Sequence, residues 1–296
     1  MRLVPVLCTL LASVCSAQWG GRPDEAVVYL MTSKGSADPR IQPAGAANSP
    51  ASLLRLDYRD PATLPPIPLE NGFPPEFVRQ DLHSEPDDTF QLVTQHEGLP
   101  GPHRIYRVDY KVLLIRGVVR ETEVTEDSTA ALATTLKRGA NFGPDVALDT
   151  FQVLFWGPKA HPFPDVDLVP IGTIGPEVPP GLTGDEWIRT FGRVPSAIPW
   201  IPARRKFPGA GWPDGVDFKL IDRDDALGST QQLVRLRRGA RTPLIRIPGA
   251  THVYVLQGSV QFSAPGAETR AVGQQQYVFV PPDLAWGLSN PRVFSR

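Results

Sequence analysis

The sequence predicts an all-β chain: two β-sandwich or barrel units in tandem, joined by a proline- and tryptophan-rich segment. Three observations carry this. Short apolar runs alternate with turn signals at intervals of roughly 8–12 residues. The 33 prolines among 296 residues leave room only for short helices. The chain also repeats itself: Gln91-Leu92-Val93, Gly98, Pro102, Val112, Gly117 and Val119 recur 141 positions later as Gln232-Leu233-Val234, Gly239, Pro243, Val253, Gly258 and Val260. Eight identities in 29 ungapped positions exceed the roughly one or two expected by chance, and a repeat specifies the same supersecondary unit twice.

The later copy is the clearer one. From Gly239 the chain runs through Pro243, Pro248-Gly249, Val253 and Val255-Leu256 to Gly258; Gly273, Pro281-Pro282 and Asn290 follow. This framework resembles a cupin of the ChrR type, whose motifs read G-x-x-x-P-x-H-x-H-P-G-x-E-E-V-x-V-L-x-G and G-x-x-x-x-x-P-P-G-x-x-H-x-x-x-N. The resemblance covers about 60 residues. It implies that the repeat is two jelly-roll barrels, each a double-stranded β-helix, whose metal-binding members hold a divalent metal on two His, a Glu and a later His. Here those positions are Ile245, Ile247, Thr251 and Trp286. Isoleucine and tryptophan side chains offer a metal no lone pair, and a neutral threonine hydroxyl is a weak donor. Alternation puts 245 and 247 on one face, pointing inward, so this barrel is expected to have lost its metal and to present these residues to a substrate or ligand. His252, next to Thr251, is expected to face away from the lumen, as a surface or inter-sheet histidine.

In the earlier copy the ungapped offset brings Arg104, Tyr106 and Tyr110 to the same positions. The run Phe151–His161 fits the second motif, with His161 at the family's histidine, after a polar excursion over Arg120–Asp145. Arg104, Tyr106, Tyr110 and His161 would make a donor-rich lumen for an anionic or hydroxylated small molecule, or would satisfy one another in a packed barrel. A register shifted by one residue instead gathers His103, Asp109 and His161, a two-His-one-carboxylate set suited to one divalent metal such as Fe, Mn or Zn, with His96 as a further donor. Such a slip turns every side chain over unless a bulge absorbs it.

Met1–Ala17 has the charged start, apolar run and small-residue end of a secretory signal peptide, so a periplasmic or extracellular protein is expected. Both cysteines fall inside it, and the mature chain would carry neither disulfide nor thiol chemistry. A net charge of −1 with interspersed signs points away from nucleic acid, and no apolar stretch is long enough for a membrane span. The basic runs Arg204-Arg205-Lys206 and Arg235–Arg241 read as solvated faces.

The expected organisation is therefore a signal peptide at 1–17, an N-terminal extension at 18–75, a divergent cupin at 76–170, a connector at 171–215 and a second cupin at 216–296. The extension contains one strand-like run at Ala26–Met31, and the connector carries Trp187, Trp200 and Trp212, expected to pack between the barrels. The function expected first is a metal-free small-molecule binding or interaction module, compatible with a homodimer. The alternative is a metal-dependent dioxygenase or isomerase with its site in the first barrel, or an acid–base variant using His161 and Tyr110.

Overall fold

A computed structural model describes residues 21–33, 39–43, 45–117, 119–121, 133–136, 141–142, 145–170, 195–209, 211–224 and 228–291, together with residues 19 and 138. The signal-peptide segment and Trp187 lie outside these residues. The first segment carries β1 (Ala26–Ser33), β2 (Arg40–Ile41), helix α1 (Pro50–Leu54) and β3 (Asp57–Arg59). Next come β4 (Ile67–Pro68), β5 (Val78–Glu85), β6 (Asp88–Gln95), β7 (Pro100–Gly101), β8 (Arg104–Tyr106), β9 (Tyr110–Arg116), β10 (Val119–Glu121), β11 (Ala133–Leu136), β12 (Asn141–Phe142), β13 (Asp145–Ala147), β14 (Phe151–Gly157) and β15 (Val166–Leu168). From residue 195 on follow β16 (Ile201–Pro202), helix α2 (Ala203–Lys206), β17 (Val216–Asp224), β18 (Ser229–Leu236), β19 (Ile245–Arg246), β20 (Ala250–Gln257), β21 (Ser259–Ser263), β22 (Arg270–Gly273), β23 (Tyr277–Val280) and β24 (Ala285–Ser289). The predicted all-β class holds.

The chain divides into a C-terminal unit, Met1–Asp60 with Pro195–Arg296, and a middle unit, Pro61–Val194. In the C-terminal unit a seven-stranded sheet, β16-β17-β18-β1-β20-β23-β3, and a five-stranded sheet, β2-β19-β24-β21-β22, enclose one core. Val28, Leu30, Val253 and Val255 from the first sheet meet Ile245, Ile247, Phe262 and Trp286 from the second. These are the alternate residues of each strand, as period-two patterning requires.

β1 is no appendage. It lies between β18 and β20, antiparallel to both, with all eight residues buried. Its continuous apolar run suits a strand covered on both faces. In the middle unit the corresponding place, between β6 and β9, is held by β14. The correspondence extends to register. Phe151 pairs with Gln95 where Ala26 pairs with Leu236, and Val153 pairs with Leu114 where Val28 pairs with Val255. Both strands bulge one residue before the latter pair. The turn glycines agree: Gly117 (φ 86°) and Gly258 (φ 72°) need left-handed backbone. A Cβ on Gly117 would come within 2.4 Å of the Thr150 carbonyl oxygen, and on Gly258 within 3.1 Å of that of Glu25.

This corrects the reading of the first copy's second motif. Phe151–Gly157 is the counterpart of β1, not of β23. The counterpart of β23 is β11, since Leu136 pairs with Tyr110 as Val280 pairs with Thr251. The counterpart of the start of β24 is β12, where Phe142 stands opposite Arg104 as Trp286 stands opposite Ile245. The supposed excursion at 120–145 thus holds β11 and β12 and overlaps β10 and β13. The end of the expected connector also changes meaning. Trp212 enters the C-terminal unit's core, stacked on Phe207 at 5.5 Å and edge-on to Phe218 at 5.3 Å.

Candidate functional site

The site positions of the C-terminal barrel are filled by its own core. Ile245, Ile247 and Trp286 are 3%, 4% and 1% exposed, and Trp286 lies flat on Phe262 with ring centroids 5.6 Å apart. Thr251 is fully buried, and its hydroxyl donates to the Gly249 carbonyl at 3.3 Å. All four sit where alternation placed them, and Ile245, Ile247 and Trp286 belong to one buried cluster with Val253, Val280 and Phe262. This donor set does not fit a divalent metal. One neutral hydroxyl, already bonded, is the only oxygen it offers. His252 keeps to the opposite face but is fully buried, not a surface residue; its Nδ1 lies 2.7 Å from the Tyr277 hydroxyl.

In the middle unit Arg104 and Tyr106 are buried and Ile105 is half-buried, so the ungapped register holds without a slip. The Arg104 guanidinium reaches Asp145 at 3.1 Å, the Pro102 carbonyl at 2.8 Å and the Tyr106 hydroxyl at 3.3 Å. It also lies over the Phe73 ring at 5.3 Å. Burial opposes its charge, but Tyr106 and Asp145 outweigh that and hold its pKa above the ordinary arginine value. Tyr106 meets Tyr110 edge-on at 5.8 Å, and Tyr110 meets Phe155 and Phe163 in the same way. Burial pushes the Tyr110 phenol well above its usual range. Its oxygen accepts from the Asp165 amide at 3.3 Å. Arg104, Tyr106 and Asp145 therefore satisfy one another inside an aromatic core, and the Tyr110 hydroxyl is met by backbone.

His161 does not join them. Its side chain is 86% exposed, beside Glu70 at 3.4 Å. The alternative metal set is not assembled either. His103 is buried in the approach to β8, its Nδ1 without a hydrogen-bond partner, whereas Asp109 accepts from the Arg138 amide at 2.6 Å. His96 is exposed. Among the described residues no three His, Cys, Asp or Glu side chains form a group able to hold a metal. The slip failed because β8 pairs with β12 and β15 through Arg104, Ile105 and Tyr106 in the unshifted register.

Sequence reasoning missed Asp145 and Phe142. The signal for Phe142 was faint: shifting Gly143 onto Gly287 aligns Phe142 with Trp286 and Leu136 with Val280, on one identity. Nothing in the sequence marked Asp145 as the partner of Arg104. Among the described residues no helix is long and apolar enough to cross a membrane.

No family model and no curated protein matches the chain. Solved structures do. A protein from Nostoc punctiforme named as a candidate dioxygenase is 13% identical, covering 81% of this chain and 84% of that one, with a TM-score of 0.52. The 7S globulin of Momordica charantia is 11% identical, covering 80% of each chain, with a TM-score of 0.50. Oxalate decarboxylase from Bacillus subtilis is 11% identical, covering 84% of this chain and 74% of that one, at 0.49. At such identities the likeness speaks for fold alone, and the fold is that of the cupins, an all-β chain of two jelly rolls.

Proposed function

We propose that the protein is an exported, metal-independent bicupin, a binding or interaction module that takes its ligand outside the barrel interiors. One observation carries the reading. The positions that hold metal in metal-binding cupins are taken by interlocked Ile245, Ile247, Thr251 and Trp286 in one barrel and by the internally paired Arg104 with Tyr106 and Tyr110 in the other. Neither set leaves a substrate a donor array around a vacant coordination position, which metal-dependent oxygen or isomerase chemistry requires. The export part of the proposal rests on the Met1–Ala17 pattern.

Thermal unfolding in EDTA and in millimolar Mn²⁺, Fe²⁺, Zn²⁺ and Ni²⁺ tests the reading, because a ligand of the native state raises its stability by mass action. Coincident curves agree with it. A shift of many degrees that saturates at one equivalent contradicts it.

A further inference from the structure

Two basic stretches far apart in the chain converge on one cavity of the C-terminal unit. The cavity, of about 300 Å³, is lined by Pro202, Arg204, Pro213, Val216, Asp217 and Arg237 among others. That volume sits at the small end of ligand sites, which run from roughly 300 to 1,000 Å³.

The charges around it are unevenly committed. Asp217, 3% exposed, takes Arg235 on one oxygen, Nε at 3.1 Å and Nη2 at 2.7 Å, and Arg237 Nη2 on the same oxygen at 3.4 Å. Its negative charge is thus spent chiefly on Arg235. Arg237, with 57% of its side chain exposed, has no other ion-pair partner among the described residues. Arg204 meets Asp214 at 2.7 Å, but those side chains are 67% and 80% exposed. An exposed pair of this kind holds weakly, and another oxyanion can replace Asp214. Two guanidinium forks therefore border a concavity that they share with the carboxylates of Asp214 and Asp217 and with the apolar Pro202, Pro213 and Val216.

We propose that this cavity binds a small oxyanion, with Arg204 and Arg237 as its clamp and the proline walls receiving the ligand's apolar part. Carboxylate, phosphate and sulfate groups share the required chemistry: planar or tetrahedral oxygens that accept forked N–H donors. The inference rests on the reading that ligands bind outside the barrels and gives that reading a location.

Isothermal titration of the mature protein with inorganic phosphate, sulfate and succinate, at ionic strength held constant with sodium chloride, tests it. At least one probe should bind saturably at one site per chain, and the probe that binds tells a phosphoryl, sulfuryl or carboxylate ligand apart. In Arg204→Gln/Arg237→Gln its affinity should fall tenfold or more with the unfolding temperature unchanged. The exposed single variant Arg204→Gln should show a smaller loss. Absence of saturable binding for all three probes, or undiminished binding by the double variant, overturns the proposal. Metal content measured on the same samples separates this failure from a failure of the metal-independent reading.

Discussion

The Arg104 guanidinium and the Asp145 carboxylate lie 3.1 Å apart inside the middle barrel, with side chains only 8% and 2% exposed. Arg104 corresponds in register to Ile245 of the other unit, so the middle barrel carries a built-in cation with its own counter-charge where the C-terminal one carries an apolar side chain. A buried pair is costly to split, because the survivor is left charged and unsatisfied.

Removing one partner should therefore destabilise the protein strongly. Asp145→Asn and Arg104→Met should each cost about 3–5 kcal/mol in denaturant unfolding. The double variant Arg104→Met/Asp145→Leu should recover much of that loss, since no orphan charge remains. Additive losses in the double variant would show that the pair is not coupled.

The N-terminal strand is the second point of leverage. β1 supplies the ladder between β18 and β20, and without it two inner edges of the sheet lose their hydrogen-bond partners. A chain lacking residues 1–33 should lose cooperative unfolding of the C-terminal unit, and a synthetic peptide of residues 24–33 should restore it. Unchanged unfolding of the truncated chain would refute the role of β1.

Part of this was legible in the sequence. Gly117 and Gly258, and the alternation through Ile245, Ile247, Val253 and Val255, gave away the repeat and the inward face, because turn conformation and pleat act locally. The strand exchange was not legible. β1 pairs with partners some two hundred residues away, and β14 holds its place in the other unit. Nothing local distinguishes the apolar run of β14 from that of β23. His161 was a false lead for this reason: it follows the strand that corresponds to β1. Arg104 was legible as a barrel residue, but its partner Asp145 was not, since a single acidic residue in a polar stretch carries no periodic signal.

If these four positions correspond to the metal ligands of metal-binding cupins, as proposed, placing donors on them should create a metal site. The variant Ile245→His/Ile247→His/Thr251→Glu/Trp286→His places four donors on positions that already share one lumen. Loss of Trp286 alone should cost about 3–5 kcal/mol without metal. Zn²⁺ should then raise the variant's unfolding temperature and leave the wild type unmoved. An equal response of both proteins would count against the assignment of these positions.

Stability should also depend on pH through Lys219. The residue is 1% exposed, with Nζ 2.7 Å from the Pro195 carbonyl and 4.5 Å from the Trp200 ring centre. Burial first, and then the nearby Arg235 charge, bring its pKa from 10.5 down to about 8. Below pH 8 both states hold the proton, and the full cost of burying the ammonium is present. Between pH 8 and 10.5 the folded state releases the proton while the unfolded chain keeps it, so stability gains from this group as pH rises. Tyr58, pushed up to about 12 chiefly by burial, acts with the opposite sign above pH 10. The difference in unfolding free energy between wild type and Lys219→Met should therefore change steadily from pH 8 to 10 in favour of the wild type. A flat difference would contradict the shift.

The most direct test of the central claim is the metal content of the purified mature protein, measured by elemental mass spectrometry after gentle desalting and again after incubation with iron, manganese, zinc and nickel. The donor sets at the proposed ligand positions predict far less than one equivalent of any transition metal in both samples. About one tightly held equivalent per chain would contradict the account.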